Sequence, residues 1–141
     1  MPKMIFVNLP VADLAAAERF YTAIGCEKND RFSNEVAICM VWSEEIFFML
    51  LTRDFYATFT PKPIADTHAT SAALLCLSMD SRAAVDAICA AAAGAGGRTG
   101  FREVQDMGFM YADAFEDPDG HTFEPMWMDP KAAEEGPPDM V

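Results

Sequence analysis

Residues 4–10 are apolar but for Asn8, and they divide by alternation into two sides. Ile5, Val7 and Leu9 lie on one side of the pattern, Phe6 and Asn8 on the other, so a strand is predicted. Asp13 stands where a helix cap belongs. Behind it Leu14, Ala17, Phe20, Tyr21 and Ile24 share one helical face, and Gly25 ends the run. Short strands are predicted over 27–33, 35–43 and 46–52, with Ser43-Glu44-Glu45 as the turn between the last two. Residues 53–70 contain Thr60-Pro61-Lys62-Pro63 and read as a loop. The pattern then restarts. A strand over 71–79 runs into a helix over 82–93, where Val85, Ile88, Cys89 and Ala92 line one face. Strands over 98–104, 108–116 and 121–128 follow.

Strand, helix and three strands therefore occur twice. An offset of about 68 residues lays Phe6 on Leu74, Asn8 on Cys76 and Phe20 on Ile88. The expected fold is α+β: two tandem βαβββ modules forming a curled mixed sheet around a concave pocket, with a helix on each convex face. One domain spans 1–130, with modules at 4–52 and 71–128 and a loop at 53–70 between them. A flexible acidic tail is expected over 131–141.

Composition narrows the partners. The chain has 141 residues, 52% of them hydrophobic, long enough for a core without disulfides. Ten basic against 22 acidic residues give a net charge of −12, which argues against nucleic acid and anionic membranes and favours neutral or cationic ligands. The N-terminal residues show no signal-peptide pattern, and no apolar run is long enough to span a bilayer. Cys26, Cys39, Cys76 and Cys89 are isolated from one another. They read as buried small hydrophobes in a cytoplasmic, reduced protein.

Glu124 shares a strand face with Thr122 and Met126. A carboxylate in an apolar cavity would have its pKa raised by desolvation and could act as an acid or base. The alternative is a structural carboxylate bonded to Thr122 or Asn8. Asn8 shares the face of Phe6 and suits a ligand hydrogen bond or a backbone cap. Tyr111 and Asp113 could supply a hydroxyl and a carboxylate from one strand, or face solvent. Ten methionines and eleven phenylalanines are many for this length, and Met40, Phe47, Phe48, Met49, Phe109 and Met126 crowd the strands, so both strand faces must be buried or lined against a ligand. Asp117-Pro118-Asp119-Gly120 reads as a tight turn positioning the last strand. Neither a nucleophile constellation nor a phosphate cradle is present in the pattern.

Asn8-Leu9-Pro10-Val11-Ala12-Asp13-Leu14 with Glu18-Arg19-Phe20-Tyr21 and Gly25, and Phe115-Glu116-Asp117-Pro118-Asp119-Gly120-His121-Thr122-Phe123-Glu124 at the far end, resemble the vicinal oxygen chelate superfamily. That superfamily includes glyoxalase I, bleomycin-resistance proteins and extradiol dioxygenases. The resemblance covers residues 4–128 and implies a divalent metal held by four strand positions. In this sequence they fall on Phe6, on Met49 or Leu50, on Leu74 and on Glu124. Three of the four are apolar. No cofactor is therefore expected; a divalent metal, recruiting Glu124 with His68 or another group, is the alternative. The resemblance further implies a homodimer. The expected function is binding of a cationic or aromatic small molecule without metal chemistry, the pocket being lined by Phe6, Asn8, Phe48, Leu50, Leu74, Tyr111, Thr122 and Met126. The alternative is a glyoxalase-like lyase or another enzyme in which Glu124 is the catalytic residue.

Overall fold

A computed structural model describes residues 2–138. The first half comprises β1 (Ile5–Val11), α1 (Leu14–Ala23), β2 (Glu27–Asn29), β3 (Ala37–Val41) and β4 (Ile46–Thr52). A short helix, α2 (Arg53–Ala57), opens the linker. The second half comprises β5 (Leu74–Ser78), α3 (Arg82–Gly94), β6 (Gln105–Asp106), β7 (Met110–Ala112), β8 (Phe115–Glu116) and β9 (Thr122–Met128), and α4 (Pro130–Glu135) follows. There are two mixed sheets, not one. Sheet A has the order β1-β4-β3-β2; sheet B has β5-β9-β7-β6, with β8 also on β9. Neither closes into a barrel.

The halves repeat one wiring scheme. β1 pairs parallel with β4, and β5 pairs parallel with β9. The strand next in from β4 or β9 is antiparallel to it in both halves. Phe6 and Leu74, matched by the sequence offset, are correspondingly placed and are both half-exposed, at 49% and 54%.

Each helix forms for local reasons and buries one stripe. Asp13 Oδ1 accepts from the amides of Ala15 and Ala16 at 3.0 and 3.2 Å, a cap worth about 1 kcal/mol. Ser81 caps α3 by accepting from Ala84 N at 3.0 Å. α1 buries Ala17, Phe20 and Tyr21; α3 buries Val85, Ile88, Cys89 and Ala92. Between the helices and the sheets lies one aromatic cluster. The ring of Phe48 meets that of Phe123 edge-on at 5.4 Å, Phe115 stacks on Phe123 at 5.2 Å, and Phe20 leans on Phe115 at 6.0 Å. Phe48 of sheet A touching Phe123 of sheet B makes the two halves one core.

Several predicted boundaries shift, each for a physical reason. The strand expected over 27–33 stops at Asn29, whose side chain accepts from Arg31 N and starts a single 3-10 turn, Asp30–Phe32. The long strand expected over 108–116 is split into β7 and β8. Pro125, in the middle of β9, accepts from Asp113 N at 3.2 Å but has no N–H to return, so the ladder lapses there. The strand expected over 98–104 is absent: Arg98 makes one bridge to Glu116, and Gly100, at φ +74°, turns the chain away. The segment pairs again only as β6. After β9, Asp129 caps α4, a helix where irregular tail was expected; residues 139–141 of that tail lie outside the described residues.

Candidate functional site

Strand alternation gives each sheet a helix-covered face and an open face. On sheet A the open face carries Phe6, Asn8, Phe47, Met49 and Cys39, as the β1–β4 and β3–β4 registers dictate. Phe6 and Phe47 are register partners, and their rings stack at 4.6 Å and 11°. With Met4, Asn29, Phe32, Cys39 and Met49 they line an almost wholly apolar recess of about 470 Å³. Phe32 at the rim is 68% exposed.

Phe48 and Leu50, expected to line a pocket, lie on the other face. They are 1% and 0% exposed and pack in the core with Leu9 and Tyr21. The physical reason is the register: Phe47 and Met49, not Phe48 and Leu50, share the side of Phe6. The strand-4 position left open between Met49 and Leu50 is thus Met49. Tyr111 is also displaced from the expected face. Its hydroxyl donates to Asp86 of α3 at 2.7 Å, and Arg82 of α3 lies over its ring at 5.1 Å.

A second concavity lies where β1 approaches β5 and β9. Asn8, Thr122, Tyr56, Ile64, Thr67 and Thr70 are among its walls, and its volume is about 230 Å³. The residues from the linker, Tyr56 to Thr70, were not singled out from sequence; nothing in a Pro- and Thr-containing loop marks which face it folds over. His121, largely buried, is a further wall of this cleft, its Nε2 2.8 Å from the Pro10 carbonyl oxygen. That bond makes it a structural tie. His68 is exposed in the linker, its backbone amide donating to Asp66.

On the open face of sheet B, Glu124 sits with Thr122 and Met126 on β9 and beside Leu74 and Cys76 on β5. It is not a lone carboxylate among apolar groups. Arg102 Nη1 donates to Glu124 Oε2 at 2.5 Å. Arg102 comes from the segment that failed to form a strand, so a reading of it as strand gave no hint of this pairing. Arg102 Nε and Nη2 are shielded from solvent and meet no acceptor among the described residues.

The cysteines divide. Cys26, Cys39 and Cys89 are buried as expected, and burial pushes the Cys26 and Cys89 thiols up to about 12. Cys76 is exposed instead, because the outer face of β5 has no covering layer. Desolvation and then the Glu124 carboxylate push its thiol up, the opposite of an activated nucleophile.

A divalent ion does not fit these residues. Phe6 and Leu74 offer no donor atoms and Met49 only a soft thioether, and the cation this chain supplies to Glu124 is the guanidinium of Arg102. Among the described residues no three His, Cys, Asp or Glu side chains converge.

The model of the glyoxalase/bleomycin resistance protein/dioxygenase superfamily matches residues 3–124. The chain belongs to that superfamily. The fold agrees with solved members and relatives at low identity. A hypothetical protein, SA1046, from S. aureus is 20% identical with a TM-score of 0.75, over 90% of this chain and 94% of that one. A glyoxalase-related enzyme from Fulvimarina pelagi is 18% identical with a TM-score of 0.75, over 90% and 88% of the two chains. A superfamily enzyme from Burkholderia phytofirmans PsJN is 17% identical with a TM-score of 0.73, over 90% and 99%. No curated protein matches the chain. Among the described residues no helix is long and apolar enough to cross a membrane.

Proposed function

We propose that this superfamily member binds an aromatic small molecule on the open face of sheet A and does no chemistry through a metal ion. The observation that carries the reading is the stacked pair Phe6–Phe47 at the floor of the apolar recess. One ring of the pair is half-exposed, so a flat ligand can extend the stack and exclude water from it. Methionines 4 and 49 can adjust to its outline. A cationic ligand is less well served than the net charge suggested, because Glu124, on the other sheet, already has a guanidinium partner. The same ion pair removes the ground on which Glu124 was read as a catalytic acid or base, a lone carboxylate in an apolar cavity.

The test is fluorescence titration with naphthol, comparing the native chain with Phe6→Ala. Loss of one stacked ring should weaken binding several-fold, in line with the roughly 0.5–1.5 kcal/mol of an aromatic pair. Equal affinity in the variant, or no binding by either, would refute the recess as the site.

A homodimer is part of the proposal. Phe6 and Phe32, at the recess on sheet A, are large apolar side chains 49% and 68% exposed. A second copy packed against the rim of that recess would remove part of that surface from water and deepen the recess. Sedimentation velocity of the native chain should give twice the monomer mass.

A further inference from the structure

The open face of sheet B holds a charged group that the stacking recess on sheet A does not use. Arg102 reaches Glu124 with one nitrogen only, Nη1. Nε and Nη2 have no acceptor among the described residues, although both are shielded from water. These two nitrogens form one edge of the guanidinium, from which two N–H bonds project in parallel. That edge is the one that grips both oxygens of a carboxylate at once. A buried donor without an acceptor is costly, and two on one side chain are rare in a folded protein. Such a pair marks a place where an acceptor belongs.

The surroundings are built for a particular kind of acceptor. Thr122, Glu124 and Met126 share the face, and the register sets Leu74 beside Thr122 and Ser78 beside Met126. Leu74 is 54% exposed with no covering layer, and Met126 is partly exposed. The charged pair thus lies between apolar side chains. Arg102 itself comes from Thr99–Glu103, between the single Arg98–Glu116 bridge and β6, where no ladder holds the backbone. Its long side chain can turn without breaking a strand.

From this we infer that Arg102 is a ligand-binding residue, and that the open face of sheet B takes a small organic carboxylate with an apolar body. The carboxylate oxygens accept from Arg102 Nε and Nη2, while Nη1 stays on Glu124. The body of the ligand lies against Leu74 and Met126. Because both donors are shielded in the ligand-free arrangement, the segment Thr99–Glu103, which no ladder holds, shifts as the acceptor enters and uncovers that edge with Nη1 still on Glu124. Glu124 is then a positioning residue: it holds the guanidinium plane and partly offsets its charge, which tempers affinity for the anion.

Three probes of one shape and different charge test this: benzoate, benzamide and benzylammonium, titrated by calorimetry and by the arginine Nε–H signals in NMR spectra. The expected result is that benzoate binds at least about ten-fold more tightly than benzamide, and that it shifts the Arg102 Nε–H signal while benzamide does not. Arg102→Gln should abolish the preference. Glu124→Gln, which frees Arg102 from its charged partner, should tighten benzoate. Equal binding of benzoate and benzamide, tighter binding of benzylammonium, or no binding of benzoate in the millimolar range would each overturn the inference. The NMR shift is read on the native chain, so a poorly folding variant does not decide the matter. The naphthol titration on Phe6→Ala reports on sheet A alone, and either result can fail without the other.

Discussion

The hydroxyl of Tyr21 donates to Oδ2 of Asp117 at 2.7 Å, across 96 positions of sequence. The bond joins α1 of the first half to the turn before β9 of the second. The other carboxylate oxygen of Asp117 accepts from the amides of Asp119 and His121, each at 2.9 Å. The same turn reaches back twice more: Asp119 Oδ1 accepts from Ala12 N at 2.8 Å, and His121 approaches the Pro10 carbonyl. Gly120 lets this knot close. At φ +86° it lies so near the linker that an added Cβ would be 2.6 Å from the Thr67 carbonyl oxygen. The turn foreseen as a spacer for the last strand therefore also fastens the two halves and the linker together.

Tyr21→Phe should expose the worth of that fastening. The substitution keeps the ring in the aromatic core and leaves a buried carboxylate oxygen without its donor. A loss of about 1–3 kcal/mol is expected, or several degrees in Tm at roughly 2–4 °C per kcal/mol. Thermal melts of the two proteins measure it; equal Tm values would mean the bond contributes nothing net.

Asp117 makes the stability depend on pH in a defined direction. Burial holds its carboxyl above the ordinary range, against the opposing pull of His121 and of the hydrogen bond from Tyr21. A carboxyl raised on folding stabilises the fold in its protonated form. That contribution is complete below the unfolded value, near about 4, and is lost as pH rises through the folded value. Asp117→Asn keeps the acceptor for both turn amides but cannot ionise. The native chain should therefore lose stability relative to this variant as pH rises from about 4 through the mildly acidic range. Urea midpoints at a series of pH values would show it, and a difference independent of pH would contradict it.

Phe6 and Phe48 should behave oppositely on truncation. Phe48→Ala empties a site at the junction of the sheets and should cost about 3–5 kcal/mol. Phe6→Ala removes a ring that is 49% exposed and should cost much less, about 1 kcal/mol or under. Denaturant unfolding of both variants checks the contrast. A Phe6→Ala cost as large as that of Phe48→Ala would mean that the open face of sheet A is core.

That contrast also marks where sequence was legible. Polar alternation fixed the two faces of β1, because Asn8 stands among apolar neighbours. In β4 the run Ile46-Phe47-Phe48-Met49-Leu50-Leu51 is apolar on both faces, so no residue tells which face meets α1. Only the parallel register with β1 decides it, and register is a property of the folded pair. The duplication was legible because Phe20 and Ile88 recur at matching places on helices with matching stops. Arg102 was not: its role depends on a segment leaving the ladder at Gly100, and on Pro125 interrupting a different strand. The family ends, from Asn8 to Asp13 and from Asp117 to Glu124, were legible because short-range turn and cap chemistry fixes them locally.

The Arg102–Glu124 pair yields the last expectation. A divalent ion at Glu124 would have to displace a guanidinium, and beside it on this face would find Leu74, Thr122 and the Cys76 thiol. One carboxylate, beside a thiol that desolvation and Glu124 hold in its protonated form, cannot outcompete six waters for such an ion without help. Melting curves with added Ni²⁺, Zn²⁺ or Mn²⁺ should therefore match those after exhaustive chelation. A ligand present at 100 times its dissociation constant raises stability by about 2.7 kcal/mol, so binding of any consequence would move Tm by several degrees. Such a shift, abolished in Glu124→Gln, would return Glu124 to the role of a metal ligand and require Arg102 to swing away from it. Without a shift, the positive charge that Glu124 meets on this face is the one carried by the chain itself.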